Sequence, residues 1–293
     1  MNLSPMNQVQ DITMNLVLQG VDDCMPRAER IAALTAPRHV TRISDTALRC
    51  DGIAFSPALR QTIEVAAHAA ELDATYMMGV HHLADYKLVA MDMDSTLITI
   101  ECIDEIADMQ GLKPQVAAIT EAAMRGELDF SESLRRRVAL LEGLDASALQ
   151  RVYDERLRLS PGAERMLRAV QAAGLKTLLV SGGFTYFTDR LKERLGLDYT
   201  RANELEIVDG KLTGKVIGDI VDAAAKQATV EHVCAGLGIT PSEAIVMGDG
   251  ANDLKMMGIA GMSVAFRAKP VVREQATVAL NFVGLDGILN LFA

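Results

Sequence analysis

The run Leu88-Val89-Ala90-Met91-Asp92-Met93-Asp94-Ser95-Thr96 decides the fold. Four consecutive apolar residues without alternation are the pattern of a strand buried on both faces of a parallel sheet. Two carboxylates, a serine and a threonine follow at once. Two later runs repeat this grammar. Thr177-Leu178-Leu179-Val180 leads into Ser181-Gly182-Gly183, and Ala244-Ile245-Val246-Met247 leads into Gly248-Asp249-Gly250-Ala251-Asn252-Asp253. Helical periodicity lies between them, from Ala163 to Ala173 and from Gln227 to Leu237. Alternating strands and helices imply an α/β fold with a doubly wound parallel sheet over residues 86–293. Glu204 to Val216 is different: apolar flanks around Asp209-Gly210 are a hairpin signal.

Between the first two runs, from about Ile100 to Leu159, the sequence reads almost entirely as helix. Ile103, Ile106 and Met109 share one apolar face, Leu134, Val138 and Leu141 another, and Gly111, Pro114, Gly126 and Gly143 punctuate the segment. A helical cap inserted in the α/β core is expected there. Residues 1–85 read as a separate small α+β module. Asp11 to Leu18 alternate with Ile12, Met14, Leu16 and Leu18 on one face, as in a half-buried strand. Arg27 to Leu34 looks helical, His39 to Leu48 β-like, and Ser56-Pro57 starts a helix bearing Leu59, Ile63, Ala66 and Ala67.

The chain has 293 residues, 49% hydrophobic and 23% charged, enough to bury a real core. A formal net charge of -10 with no basic run argues against a nucleic-acid surface, so cations for an anionic substrate must be local to the site. No apolar stretch reaches the ~18 residues of a membrane helix, and Met1 to Gly20 lacks a secretory pattern, so the expected location is the cytoplasm. Cys24, Cys50, Cys102 and Cys234 are scattered, with no metal-ligand spacing, and read as reduced thiols.

In open α/β sheets ligands bind beyond the carboxyl ends of the strands, so the three polar clusters should meet on one edge. Asp92, Asp94, Asp249 and Asp253 would then crowd together. Two like charges ~4 Å apart repel by about 4 kcal/mol at an effective dielectric near 20, so several at once need a cation. An all-oxygen donor set without His or Cys suits Mg2+ and a phosphate-bearing ligand. A carboxylate can then act as nucleophile. Ser181 and the Gly182 amide can donate to phosphate oxygens. Lys226, near the start of a helix after Asp222-Ala223-Ala224-Ala225, can add fixed positive charge.

These residues resemble the haloacid dehalogenase-like (HAD) superfamily of phosphotransferases. Its motifs are matched in order by Asp92-x-Asp94-x-Thr96, Ser181, Lys226 and Gly248-Asp249 through Asp253. The closer resemblance is to the phosphoserine phosphatase family, over about Tyr86 to the C-terminus. It is carried by Asp92 through Leu97, Glu101, Ile103 through Ala107, Phe130 through Arg137, Ser181 through Phe184, and Gly248 through Asp253. Met93 stands where Phe is more usual. The N-terminal module is weakly similar to the ligand-binding regulatory (ACT-like) domains of some relatives.

The resemblance implies a Rossmannoid core and a set of roles. Asp92 attacks phosphorus. Asp94 protonates the leaving oxygen, then activates water, and its main-chain carbonyl meets Mg2+. Asp92 and Asp249 supply carboxylate ligands, with Asp253 supporting the metal shell. Ser181, Gly182, Lys226 and Asn252 hold the phosphate. Glu101 and Arg137 pair with the ammonium and carboxylate of phosphoserine, and Phe130 covers the pocket. The expected reaction is Mg2+-dependent hydrolysis of this small molecule, the last step in making serine. Two other readings are open: action on another small phosphomonoester such as phosphohomoserine, and a non-catalytic amino-acid-binding regulator. The intact Asp92, Asp94, Lys226 and Asp249 speak against the second. Read alone, Arg135-Arg136-Arg137 would be a solvated helix face.

Overall fold

The computed structural model describes residues 13–293. Asp11 and Ile12 of the expected first strand, and most of the N-terminal segment read for a signal, lie outside the described residues. The chain forms two compact units. The first comprises residues up to His82 together with Asn281–Val283 and Gly287–Ala293; the second comprises Leu83–Leu280 and Gly284–Asp286.

In the first unit the elements run β1 (Thr13–Gln19), α1 (Met25–Ala33), β2 (His39–Ser44), β3 (Ala47–Ala54), α2 (Pro57–Ala69) and β4 (Asp73–Met77). They build an antiparallel sheet in the order β2-β3-β1-β4. Leu16, Leu18, Leu48, Cys50 and Ile53 pack on Ala28, Ile31, Ile63 and Ala67 of the two helices. Ser56 caps α2, its side chain accepting from the Leu59 amide at 3.2 Å, as Ser-Pro at a helix start predicts.

Two expectations for this unit need correction. The β-like stretch ending at Leu48 is a hairpin of two strands, turned at Asp45-Thr46, where the Ser44 hydroxyl accepts from the Thr46 amide. From Leu16 onward the first strand is buried on both faces rather than one: Val17 and Gln19 are as buried as Leu16 and Leu18. The reason lies at the far end of the chain. Asp73, directly opposite Gln19 across the sheet, accepts from the backbone amides of Asn281 (2.7 Å), Phe282 (3.1 Å) and Val283 (3.1 Å). Gln19 in turn accepts from Asn290 at 2.8 Å. The last residues of the chain therefore belong to the first unit, whereas the sequence reading assigned all of 86–293 to the second.

The second unit carries β5 (Leu88–Met91), α3 (Cys102–Asp108), α4 (Lys113–Met124), α5 (Phe130–Ala139), α6 (Ser147–Arg151), α7 (Ala163–Ala172), β6 (Lys176–Phe184), α8 (Thr185–Leu195), β7 (Tyr199–Val208), β8 (Lys211–Ile217), α9 (Ala223–Leu237), β9 (Ala244–Gly248), α10 (Leu254–Gly258), β10 (Met262–Phe266), α11 (Pro270–Gln275) and β11 (Val278–Leu280). The sheet order is β11-β10-β9-β5-β6-β7-β8. Every pairing is parallel except β7–β8. The three apolar runs are the adjacent central strands β9, β5 and β6, and all four residues of β5 are buried, as expected of a strand covered on both faces. Asp209 (φ 51°) and Gly210 (φ 75°) turn the β7–β8 hairpin with both residues left-handed, the geometry that Asp-Gly favours.

The insertion is helical, from α3 to α6, with Ile103, Ile106, Leu134, Val138 and Leu141 buried as their spacing implied. The β7–β8 hairpin is bonded into it. The Gly143 amide donates to Leu212 O, the Leu212 amide to Leu144 O, and the Ala146 amide to Gly210 O, each at 2.8 Å. No helix among the described residues is long and apolar enough to cross a membrane. All four cysteines are free and buried.

Replacing Asp73 with Ala should leave the part-buried amide of Phe282 and the buried amide of Val283 without their acceptor. A loss of roughly 3 kcal/mol in urea unfolding is expected, at 1–3 kcal/mol for each stranded donor. Amide hydrogen exchange at 282 and 283 should accelerate, and unchanged protection there would show that the clamp has no hold.

Candidate active site

At the carboxyl end of β5 the chain leaves the sheet in a wide turn over Met93–Leu97. It is closed by bonds five residues apart, Leu97 N to Asp92 O at 3.3 Å and Ile98 N to Met93 O at 3.0 Å. Ser95 takes a left-handed conformation (φ 54°), an uncommon state for a residue with a side chain. This turn places Asp92 and Asp94 at one cavity. The Asp92 carboxylate accepts from the Met93 amide at 2.7 Å. Thr96 reaches across the sheet edge to donate to Asp249 at 3.2 Å, joining the first acidic cluster to the third.

Lys226, on the first turn of α9, is fully buried. Its ammonium lies 2.7 Å from Asp92 Oδ2 and 2.8 Å from Asp253 Oδ1. Burial by itself would lower its pKa, but Asp253 and Asp92 outweigh that, and the net shift is upward. The other oxygen of Asp253 accepts from the amides of Asp249 (3.2 Å) and Gly250 (3.1 Å). Asp253 thus holds the loop after β9 and the lysine together. A Cβ at Gly248 would come within 2.4 Å of that carboxylate, so only glycine fits there.

The oxygens of Asp92, Asp249 and Asp253 lie within 4.8 Å of one another. Burial, and then the charge of Asp253, push the Asp92 carboxyl well up against the pull of Lys226. Burial, Asp253 and Glu101 raise Asp249 to about 6. Three carboxylates around one ammonium leave an excess of negative charge. An all-oxygen set in that state fits a divalent cation. Asp92 and Asp249 line the cavity above the cluster, whereas Asp253 is fully buried and does not, so Asp92 and Asp249 are the carboxylates suited to touch the ion.

A cavity of about 290 Å³ opens over this cluster, lined from the core by Asp92, Asp94, Ser181, Gly182, Asp249 and Asn252, and from the cap by Glu101, Phe130 and Arg137. The sequence-expected residues therefore meet in one place, with Lys226 and Asp253 buried beneath it. Burial, and then Glu101, push the Asp94 carboxyl up to about 8, and its Oδ1 has no hydrogen-bond partner in the protein. Glu101 accepts from the Ser95 hydroxyl at 2.7 Å, and burial by the surrounding protein raises it. Burial lowers Arg137, opposed mainly by Asp104 and then Glu101. The Phe130 ring lies against Gly182, where an added Cβ would meet Phe130 Cζ at 2.8 Å.

Ser181-Gly182-Gly183 lies inside β6. Strand β6 continues through Phe184, with its pairing to β7 shifted between Val180 and Phe184. The Gly183 amide donates to the Ser181 hydroxyl oxygen at 2.8 Å. Three residues escaped the sequence reading. Asp104 and Lys269 line the cavity, and each alone looks like an ordinary surface charge. Asn203 on β7 is 1% exposed and bonds both Gly182 O and Val221 N at 2.8 Å. Its burial is a product of the fold, and nothing in the local sequence marked it.

A family model for haloacid dehalogenase-like hydrolases matches residues 89–258. A phosphoserine phosphatase of Polaromonas sp. is 61% identical over 214 residues, covering 71% of this chain and 91% of the relative. Among solved structures, a HAD family hydrolase of Salmonella enterica serovar Typhi is similar with a TM-score of 0.85 and 34% identity, covering 95% of this chain and 98% of that one. A probable phosphoserine phosphatase of Vibrio cholerae is similar with a TM-score of 0.80 and 37% identity, covering 96% and 86%.

A divalent cation bound at the acidic cluster should stabilise the folded protein, by about 2.7 kcal/mol at a hundredfold excess over its dissociation constant. Thermal melts with and without millimolar cation should therefore separate for the wild type and coincide for Asp249→Asn. Equal cation-induced shifts in both proteins would exclude Asp249 as a ligand.

Proposed function

The chain belongs to the haloacid dehalogenase-like hydrolases, in their phosphoserine phosphatase group, and we propose that it hydrolyses O-phosphoserine to serine and phosphate through a phosphoryl group carried on Asp92. The observation that carries this reading is the single cavity of about 290 Å³ shared by the carboxylates of the core and by Glu101 and Arg137 of the cap. Such a volume suits a small metabolite rather than a macromolecular phosphoester. The close relatives named phosphoserine phosphatase support the same substrate.

In the first step the Asp92 carboxylate attacks phosphorus, and the bond to the serine oxygen breaks as the aspartyl-phosphate bond forms. The leaving alkoxide takes a proton from Asp94, whose raised pKa keeps it in the acid form at neutral pH. Asp94, now a carboxylate, accepts a proton from water as that water attacks the phosphoryl group, which regenerates Asp92 and releases phosphate. Ser181, the Gly182 amide and Asn252 bind the phosphoryl oxygens. Lys226, pinned by Asp92 and Asp253, supplies a positive charge that needs no rearrangement as negative charge builds. Mg2+, held by Asp92, Asp249 and the main-chain carbonyl of Asp94 with Asp253 in support, would supply further positive charge to the phosphoryl oxygens.

In the cap, Glu101 pairs with the substrate ammonium and Arg137 with its carboxylate, while Phe130 screens the reacting centre from water. The nearest rival is another small phosphomonoester, such as phosphohomoserine. Its extra methylene would have to fit between the same two cap charges and the same phosphate site. A screen of phosphomonoesters with Mg2+ and with EDTA tests the assignment: phosphoserine should be turned over best, and only with metal.

Glu101→Gln and Arg137→Ala should raise KM for phosphoserine about tenfold or more, on the scale of one charged hydrogen bond, while sparing an aryl phosphate. Equal losses on both substrates would remove the proposed cap roles. The pH profile gives a separate check. A pKa raised to about 8 means that Asp94 holds its proton below that pH and loses it above. Turnover of phosphoserine should therefore fall through about pH 8, whereas an aryl phosphate, whose phenolate leaves without a proton, should show a shallower decline.

A further inference from the structure

Asn203 lies outside the expected catalytic set, yet it is almost completely buried directly behind the phosphate-binding segment. Its side chain is used at both ends. Nδ2 donates to Gly182 O at 2.8 Å, and Oδ1 accepts from the Val221 amide at 2.8 Å. Val221 directly precedes Asp222, which caps α9 by accepting from the Ala225 amide at 2.8 Å, and α9 carries Lys226. Asn203 therefore joins the segment bearing Ser181 and Gly182 to the helix start bearing the lysine.

The same bond has a consequence for the direction of the Ser181 hydroxyl. Asn203 fixes the carbonyl of the peptide between Gly182 and Gly183. The N–H of that peptide points the other way and donates to Ser181 Oγ at 2.8 Å. The peptide plane is thus held at both ends. Ser181 Oγ, occupied as an acceptor, keeps its own proton to donate, and Ser181 lines the cavity. Space at Gly183 is tight, since a Cβ there would lie 2.9 Å from Met93 Cε and 3.0 Å from both Asp94 Oδ2 and Ser181 Oγ.

We propose that Asn203 is a positioning residue for phosphoryl binding: by fixing the Gly182–Gly183 peptide it sets Ser181 as a hydrogen-bond donor to the phosphate. This rests on the phosphatase reading above but not on the identity of the leaving group. Asn203 touches neither substrate nor metal, so its effect must pass through Ser181. Losing it should weaken binding of any phosphomonoester and of inorganic phosphate alike.

The test is a double-mutant cycle on the full chain with Asn203→Ser, Asn203→Asp and Ser181→Ala, using phosphoserine, an aryl phosphate and inorganic phosphate as product inhibitor. Each single variant should lower kcat/KM about tenfold on both substrates and raise the inhibition constant for phosphate, the size of effect of one lost hydrogen bond. In the Ser181→Ala background the Asn203 changes should add no more than about twofold, because coupled residues are not additive. Asn203→Asp keeps an acceptor for Val221 and loses the donor to Gly182, so a folded Asn203→Asp protein with wild-type kcat/KM would overturn the proposal. Effects that multiply fully in the double variants would also overturn it, since Asn203 would then act independently of Ser181. If the wild type cleaves the aryl phosphate but not phosphoserine, the substrate assignment fails while the cycle is still read on the aryl phosphate.

Discussion

The active centre depends on one buried ammonium. Lys226 sits between Asp92 and Asp253 at 2.7 and 2.8 Å, with no exposure to solvent. A lysine in that position without its carboxylates would carry an uncompensated buried charge, and so would either aspartate without the lysine. The three residues lie after β5, at the start of α9 and after β9, so the pairing fixes three distant segments at once. It also accounts for the glycine at 248, because the Asp253 carboxylate occupies the space a side chain there would need. Even so, one lysine does not balance the acidic cluster. The oxygens of Asp92, Asp249 and Asp253 lie within 4.8 Å of one another, and that crowding of carboxylates is a place for a cation.

The cap completes what the core leaves open. Motifs on the sheet edge can bind and break a phosphoester of many kinds, but they carry nothing that distinguishes an amino acid. Glu101 and Arg137 provide charges of opposite sign on the cap side of the same cavity. Their environment ties them to the chemistry below, since Glu101 is among the charges that raise Asp94 and Asp249. The β7–β8 hairpin is bonded to the connection between α5 and α6 through backbone amides at 143, 146 and 212, so the cap is a composite of the insertion and a hairpin from elsewhere in the chain. Asn203 lies on β7, the first strand of that hairpin, before the strand reaches its turn.

The N-terminal unit shows the same reliance on distant partners in a different setting. Its sheet has one face covered by α1 and α2 through an apolar core. On the opposite face Asp73 gathers three backbone amides from the C-terminal segment, and Gln19 meets Asn290. Burial pushes the Asp73 carboxyl up, and these donors oppose that only in part, so the net shift is upward.

Much of this was legible in the sequence. Three uninterrupted apolar runs, each ending in small or acidic residues, identified the central strands, because a strand buried on both faces shows no alternation and ligands gather at the carboxyl ends of such strands. The order of the motifs placed Asp92, Asp94, Ser181, Lys226 and Asp249 on one edge, and helical spacing placed Ile103, Ile106, Leu134 and Val138 in the cap core. The tertiary structure alone decided which residues meet across long separations. Asp73 bonds Asn281, 208 residues away, and Asn203 bonds Gly182, 21 residues away. Local pattern reports only which face of an element is apolar, and a polar residue that finds its partner through folding looks the same in sequence as one that faces water.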